Sequence, residues 1–581
     1  MNHMMNRRLA LFSALALSAL LVLPALGATP KEQAAQVFEA TGVKGGLVVH
    51  LGCGNGTLTA ALRPADCYLV HGLGKNVDAA RKHIQSLGVY GQVSAAPFDG
   101  ARLPYGDNVV NLLVVEDAGK VGKAEMMRVL VPNGVVTTKQ GGKWTKTVKP
   151  RPADIDEWTH YLRGADNNAV AQDDRVGVPR ELQWVGYPRW GRSHEELASM
   201  SAAVTTNGRF FTIVDEAPYA SIRFMAQWKL VGRDAFNGVV LWKRDVGPWT
   251  DHLRHFRSGP LHLPRRLVAQ GDTVYVTLGL GKPVTAIDAA TGKIAQTYAG
   301  TEHTEEIMFQ DGVLYLVVGT SEVNVTGGGL FTRGKPDPTK TRYVTALQAD
   351  TGKVLWKAEQ AKDEFILPLS LAIRDGRVFY QSTAGVVCVD AKSGKEAWRT
   401  PRDTPAKRYG WSGPTVVAGD GVLLVTDRDA PKGKGTPAKG SVEWGVHGWN
   451  IGGFDRKAKC TLRAYDVETG KELWSTPASE GYNSPVDVFI IDGLVWMGPG
   501  FGQGRDLKTG EVKKNLNVKA DTVGMPHHRC YRDKASINYI FTGRSGVEVI
   551  DLEKGWIGNN SWIRGTCQYG ILPGNGMIYA P

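Results

Sequence analysis

Cysteine is scarce in this chain, six residues in 581. No two are adjacent and none sits in a C-x-x-C-H phrase, so no covalent haem attachment is encoded. After residue 28 there is no apolar run long enough to cross a bilayer as a helix. Dense Lys/Arg runs are confined to residues 143–151 and 432–439. The net charge of +12 is therefore dispersed, and nucleic acid is not an expected partner. From residue 177 onward the apolar runs alternate with period two and are rich in Val, Tyr and Trp, which excludes a helical or leucine-rich solenoid.

Glycine, by contrast, is abundant at 70 residues, and much of it belongs to a phrase that returns. The cleanest copy runs from Ala464 and Asp466 through Thr469-Gly470-Lys471 to Trp474. Others centre on Asn237-Gly238, Thr291-Gly292, Thr351-Gly352 and Ser393-Gly394, with weaker ones at Thr509-Gly510 and Lys554-Gly555. Each reads as strand, tight turn, strand. The Asp and the hydroxyl residue bond the turn backbone, Gly supplies positive φ, and Trp packs between sheets. The closest spacings, such as Gly470 to Gly510 and Gly510 to Gly555, are roughly 40–45 residues, the length of a four-stranded propeller blade. A second phrase, usually Gly before an apolar run, precedes each turn, as at Gly312-Val313-Leu314-Tyr315 and Gly493-Leu494-Val495-Trp496. An eighth such run, Gly576-Met577-Ile578-Tyr579, breaks off at Pro581, and an incomplete chain is expected.

The A-x-D-x-x-T-G-x-x-x-W phrase resembles the repeat of PQQ-like, quinoprotein-type β-propellers, over residues 177–581. That resemblance implies a seven- to eight-bladed propeller whose last blade closes near Leu182-Gln183-Trp184. It implies little about activity. Some members are quinone-dependent alcohol dehydrogenases. Others are scaffolds that bind protein or peptide.

Residues 1–28 read as a signal peptide: Arg7 and Arg8, an apolar core over 9–23, then Ala25-Leu26-Gly27-Ala28 for cleavage. A periplasmic or secreted protein is expected. Export permits disulfides, and Cys530 with Cys567, in neighbouring repeats, is the expected pair; separate buried thiols are the alternative.

Between the leader and the repeats, residues 29–146 alternate helix and strand, which points to a doubly wound parallel sheet. An apolar run over 46–51 enters Gly52-Cys53-Gly54-Asn55-Gly56, glycines that let backbone approach a nucleotide at a helix start. This segment resembles a class I S-adenosylmethionine-dependent methyltransferase domain of Rossmann-like type. The likeness assigns cofactor contacts to Gly52, Gly54, Gly56 and Asp99. The acid that grips the ribose in that family is replaced by Gly74, so a degenerate, structural domain is expected. Residues 147–176 read as a linker carrying a dense polar cluster, D-I-D-E-W-T-H over 154–160, expected on a propeller rim. The whole order resembles exported bacterial fusions of a methyltransferase-like domain with a PQQ-like propeller.

The chemistry left open is this. His160, His194, His252, His255, His527 and His528, with Arg529, are candidates to gather at one end of the funnel for metal or acid–base work, against a structural role for each. His527 and His528 adjoin on an extended run, so one of them at most faces a site. Asp427 and Asp429 are spaced to share a cation such as Ca²⁺, or cap a strand end. The quinoprotein likeness implies PQQ, adjacent cysteines beneath it and a Ca²⁺ site; the adjacent cysteines are missing. The leading expectation is a ligand or cell-envelope protein bound on the axial face. A quinone- or metal-dependent oxidoreductase and a methyltransferase are the alternatives.

Overall fold

The computed structural model describes residues 28–188, 199–221, 223–249, 263–320, 340–402, 414–428, 460–478, 486–516, 518, 532–543, 546–566 and 569–580. The N-terminal part is α1 (Pro30–Thr41), β1 (Gly46–Leu51), α2 (Thr57–Ala61), β2 (Tyr68–Gly74), α3 (Asp78–Ser86), β3 (Val93–Pro97), β4 (Val110–Val115), α4 (Lys123–Val129), β5 (Leu130–Gln140) and β6 (Lys143–Val148). The sheet order is β3-β2-β1-β4-β5-β6. β1 and β4 are apolar on both faces, as central parallel strands covered by helices must be. β6 pairs antiparallel with β5 over residues that read in sequence as linker. It is a Lys- and Thr-rich edge strand with only Trp144 buried, so its pattern carries little apolar signal. Val131-Pro132-Asn133-Gly134 forms a bulge inside β5, with Asn133 at φ 64°.

Seven four-stranded antiparallel blades follow among the described residues. Their innermost strands are Met200–Thr206, Leu267–Gln270, Thr304–Gln310, Ala372–Arg374, Thr415–Gly419, Val488–Ile491 and Lys534–Ser536, blades 1 to 7. A two-stranded hairpin, Leu572–Gly574 with Met577–Tyr579, sits between blades 7 and 1. The repeated phrase locks blades 1 to 6 one to the next. In blade 5, Asp466 Oδ1 accepts from Thr469 N at 2.8 Å, and Gly470 takes φ 69°. The absence of a side chain there lets the Trp398 ring of blade 4 lie against Gly470, and Trp398 Nε1 donates to Val467 O at 2.8 Å. Trp242 on Gly292, Trp356 on Gly394 and Trp474 on Gly510 repeat the arrangement. Blade 2 lacks the Trp and substitutes Tyr298, whose hydroxyl donates to Ala349 O at 2.5 Å. Trp184 covers Gly238 and donates to Ala235 O at 2.9 Å, so it holds the outer-strand place beside blade 1, although residues 182–184 form no strand.

The polar stretch 154–176 lies at the axis and not on a rim. It circles the channel as a collar and meets the innermost strands in blade order. Thr205 N donates to Trp158 O at 2.8 Å, Ala269 N to Thr159 O at 2.9 Å and Phe309 N to His160 Nε2 at 3.1 Å. Ile373 N then donates to Ala165 O at 2.8 Å, Ala418 N to Asp166 O at 3.0 Å and Ile490 N to Asn168 Oδ1 at 3.0 Å. Ala535 N donates to Ala169 O at 2.9 Å, where Val170–Ala171 adds a parallel strand to blade 7. All these contacts fall toward the C-terminal ends of the innermost strands. The collar therefore seals the mouth formed by each blade's first and third turns.

The α/β domain docks on that same side. Asn237, standing where other blades have Thr or Ser, donates to Val109 O at 2.8 Å and Asn111 Oδ1 at 2.7 Å, while Asn111 Nδ2 donates to Asp234 Oδ2 at 2.7 Å. These contacts reach the N-terminal ends of β1 and β4, so the loop Gly52–Gly56 at their other ends faces away from blade 1. Asn237→Thr keeps the turn, since Thr469 makes the corresponding bond in blade 5. It loses both interdomain bonds. Scanning calorimetry of this variant is expected to show the α/β domain melting earlier, by about 1–2 kcal/mol, with the propeller transition unmoved; a shift of the propeller alone would contradict the docking role.

Candidate axial site

Beyond the collar, on the side away from the α/β domain, the described residues surround an axial basin. Its wall is built from charged residues at the start of the innermost strands. Strand alternation sends neighbours apart. Glu305 turns into blade 3 and pairs with Arg342 at 3.1 Å, both fully buried, whereas Glu306 faces Arg265 of blade 2 at 3.2 Å. Arg265 also donates to Asn167 Oδ1 of the collar at 3.2 Å, and Glu306 accepts from Leu369 N of blade 4 at 2.6 Å. On the far side Arg532 pairs with Asp487 across blades 7 and 6.

Tyr161 forms the floor. Arg265 and Lys534 each lie near its ring, 5.7 and 5.8 Å from the centroid. Lys534 donates to Tyr569 O at 2.5 Å, and the Tyr569 hydroxyl donates to Ala203 O of blade 1 at 2.5 Å. Desolvation dominates the electrostatics. It pushes the Glu306 carboxyl up to about 7 against the pull of Arg265, pulls the Lys534 ammonium down to about 7, and raises the Tyr161 phenol to about 12. Around the axis these groups form a buried, mutually bonded cluster whose protonation is set by desolvation.

The sequence candidates divide. His160 is buried in the collar; burial lowers it to about 3, so its neutral ring accepts from Phe309 N and donates through Nδ1 to Thr159 Oγ1 at 2.7 Å. Asp427 is buried and ion-paired with Arg402. His194, His252, His255, His527, His528, Arg529, Asp429, Cys530 and Cys567 lie outside the described residues. Gly52, Gly54 and Gly56 form the loop after β1, all at positive φ, and Asp99 is exposed beyond β3. The Cys53 sulfur fills the place of the missing acid: a Cβ on Gly74 would stand 3.1 Å from it. The residues present therefore do not supply a ribose grip. Sequence reading missed Arg265, Glu306, Asp487, Arg532 and Lys534, although charged neighbours ahead of apolar runs (Arg265-Arg266, Glu305-Glu306, Arg532-Asp533-Lys534) were a usable signal.

A quinone held with a cation asks for free cationic and carboxylate donors. Among the described residues no group of three His, Cys, Asp or Glu could hold a metal ion, and Arg265 and Arg532 already face carboxylates. The described basin does not fit that group. Among the same residues, no helix is long and apolar enough to cross a membrane.

Comparison with known proteins places these features. Residues 340–538 match the family described as the outer membrane protein assembly factor BamB. The chain is 31% identical over 181 residues to the lanthanide-dependent methanol dehydrogenase of Methylorubrum extorquens, 29% of this chain and 25% of that one. It is 29% identical over 161 residues to the quinohemoprotein alcohol dehydrogenase ADH-IIG of Pseudomonas putida, 26% of this chain and 18% of that one. It thus spans a quarter or less of these relatives. The crystal structure of BamB from Moraxella catarrhalis aligns at 12% identity and TM-score 0.35, over 68% of this chain and 89% of that one.

The titration of Lys534 gives a test. The unfolded chain holds this proton up to about its ordinary value of 10.5, and the folded chain releases it near 7. This group therefore makes stability rise with pH across that window and withdraws the contribution as pH falls through it. Urea unfolding of Lys534→Met is expected to show a smaller gain between pH 7 and pH 10 than the wild type; an equal gain would place the ammonium in solvent. With these matches in view, the seven-bladed propeller is PQQ-like over residues 340–538, and part of the chain is similar in sequence to quinoprotein alcohol dehydrogenases.

Proposed function

We propose that this chain is an exported PQQ-like propeller protein that binds a ligand or a cell-envelope protein partner on its axial face, at the end opposite the collar. The observation that carries the reading is the axial charge cluster: beyond the collar, Arg265 with Glu306 and Arg532 with Asp487 lie paired and buried around the axis. Such pairs are costly to bury and cost more to break, and here they sit together at one place in the molecule. The leader-like residues 1–28 and the match to the outer membrane protein assembly factor family support an envelope location. The α/β domain is read as a methyltransferase-like fold retained as a structural module, supported by Gly74 and the Cys53 sulfur that occupies its surroundings.

The second reading, a quinone-dependent oxidoreductase, is favoured by the relatedness to two alcohol dehydrogenases. Native mass spectrometry of the full chain recovered from a periplasm separates the two. The first reading expects a bound molecule or peptide that is released on denaturation and lost in Arg265→Met. A chain found at its own mass, which reduces a dye with methanol after loading with PQQ and CaCl₂, would replace it with the second.

A further inference from the structure

We propose that residues 154–176 act as an internal keystone: the ring of blades is closed from its axis, and Asp173 is the clasp. The collar leaves the hairpin at Leu572–Gly574, visits blades 1 to 7 in order, and returns to the same hairpin. At the start of this circuit Asn575 N donates to Asp156 O at 2.7 Å. At its end Asp173, fully buried, accepts four backbone N–H bonds. Oδ2 takes Asp156 N at 3.0 Å and Gly576 N at 2.8 Å; Oδ1 takes Arg175 N and Val176 N, each at 3.0 Å. One carboxylate thus ties the first residues of the loop, the last residues of the loop and the hairpin between blades 7 and 1. Arg175 Nε, which donates to Asp154 Oδ2 at 2.7 Å, also joins the two ends of the circuit. Asp156 reinforces the tie by accepting from Gln172 N at 2.6 Å.

The corners of the loop are built for the same task. Arg163 and Asn167 adopt left-handed φ of 67° and 60°, which turn the chain between successive blades. Asn167 Nδ2 donates to Leu371 O at 2.7 Å and Val416 O at 3.0 Å, bridging blades 4 and 5. Asn168 pairs with Ile490 through both its amide atoms, as a strand backbone would. Each innermost strand is otherwise an edge strand with N–H groups facing the axis. Because one continuous segment bonds one such group in each blade, loosening it at the clasp unties all the blades at once. The same device keeps the channel closed toward the α/β domain.

Hydrogen exchange of the full chain carrying Asp173→Asn tests this. The substitution keeps the shape, removes the charge and turns one of the two accepting oxygens into an NH2 donor, so two of the four bonds lose their acceptor. The expected result is that the innermost-strand amides bonded to the collar in blades 1 to 7 lose protection together, by about tenfold or more, while β1 amides keep their rates. Faster exchange confined to residues 156, 175, 176 and 576 would overturn the proposal. Should this variant not fold, Asn168→Leu removes the blade 6 contact alone. Faster exchange spreading to blades 5 and 7 supports the keystone, and a change limited to Ile490 overturns it.

Discussion

Every blade of a propeller ends at the axis in an edge strand, and the backbone groups on that edge must find partners. Leaving a buried N–H unpaired costs roughly 1–3 kcal/mol, so a ring of such edges is a large liability. In this protein one segment, 154–176, answers it for seven blades with carbonyls, one imidazole and one side-chain amide. The position of the site follows. The basin lies beyond the sealed mouth, and its floor is collar: Tyr161 and Asn167 meet Arg265 and Lys534 there.

The division of labour between the two domains rests on small departures from the repeat. Asn237 keeps the turn bond that Thr or Ser makes elsewhere, and its amide nitrogen reaches the α/β sheet. Trp184 makes the same contact to Gly238 that Trp242, Trp356, Trp398 and Trp474 make to the glycines of their neighbours. The Phe210 and Tyr579 rings, stacked with centroids 4.6 Å apart, fill the seam between blade 1 and the final hairpin.

The blades were legible in the sequence because their lock is local chemistry at fixed spacing: Asp466, Thr469, Gly470 and Trp474 lie within one phrase. The α/β order was legible from apolar runs such as 46–51 and 110–115. The strand β6 was not, since an edge of Lys and Thr looks like linker. The collar was not legible either. Its partners are backbone N–H groups far along the chain, as between Asn168 and Ile490, and no periodicity in 154–176 reports them. The D-I-D-E-W-T-H stretch drew notice as chemistry, whereas His160 and Asp156 serve as acceptors that hold strands and loop ends. Likewise the basin charges declare themselves only once the blades bring Arg265 to Glu306 and Arg532 to Asp487.

The most direct measurement is an electron-density map of the purified full chain at side-chain resolution, read at the propeller axis. Density for Trp158, His160, Asn167 and Asn168 running once round the channel, in contact with blades 1 to 6 in order, is the expected result. An open channel, with residues 154–176 lying along the outside of the blades, would contradict closure from the axis.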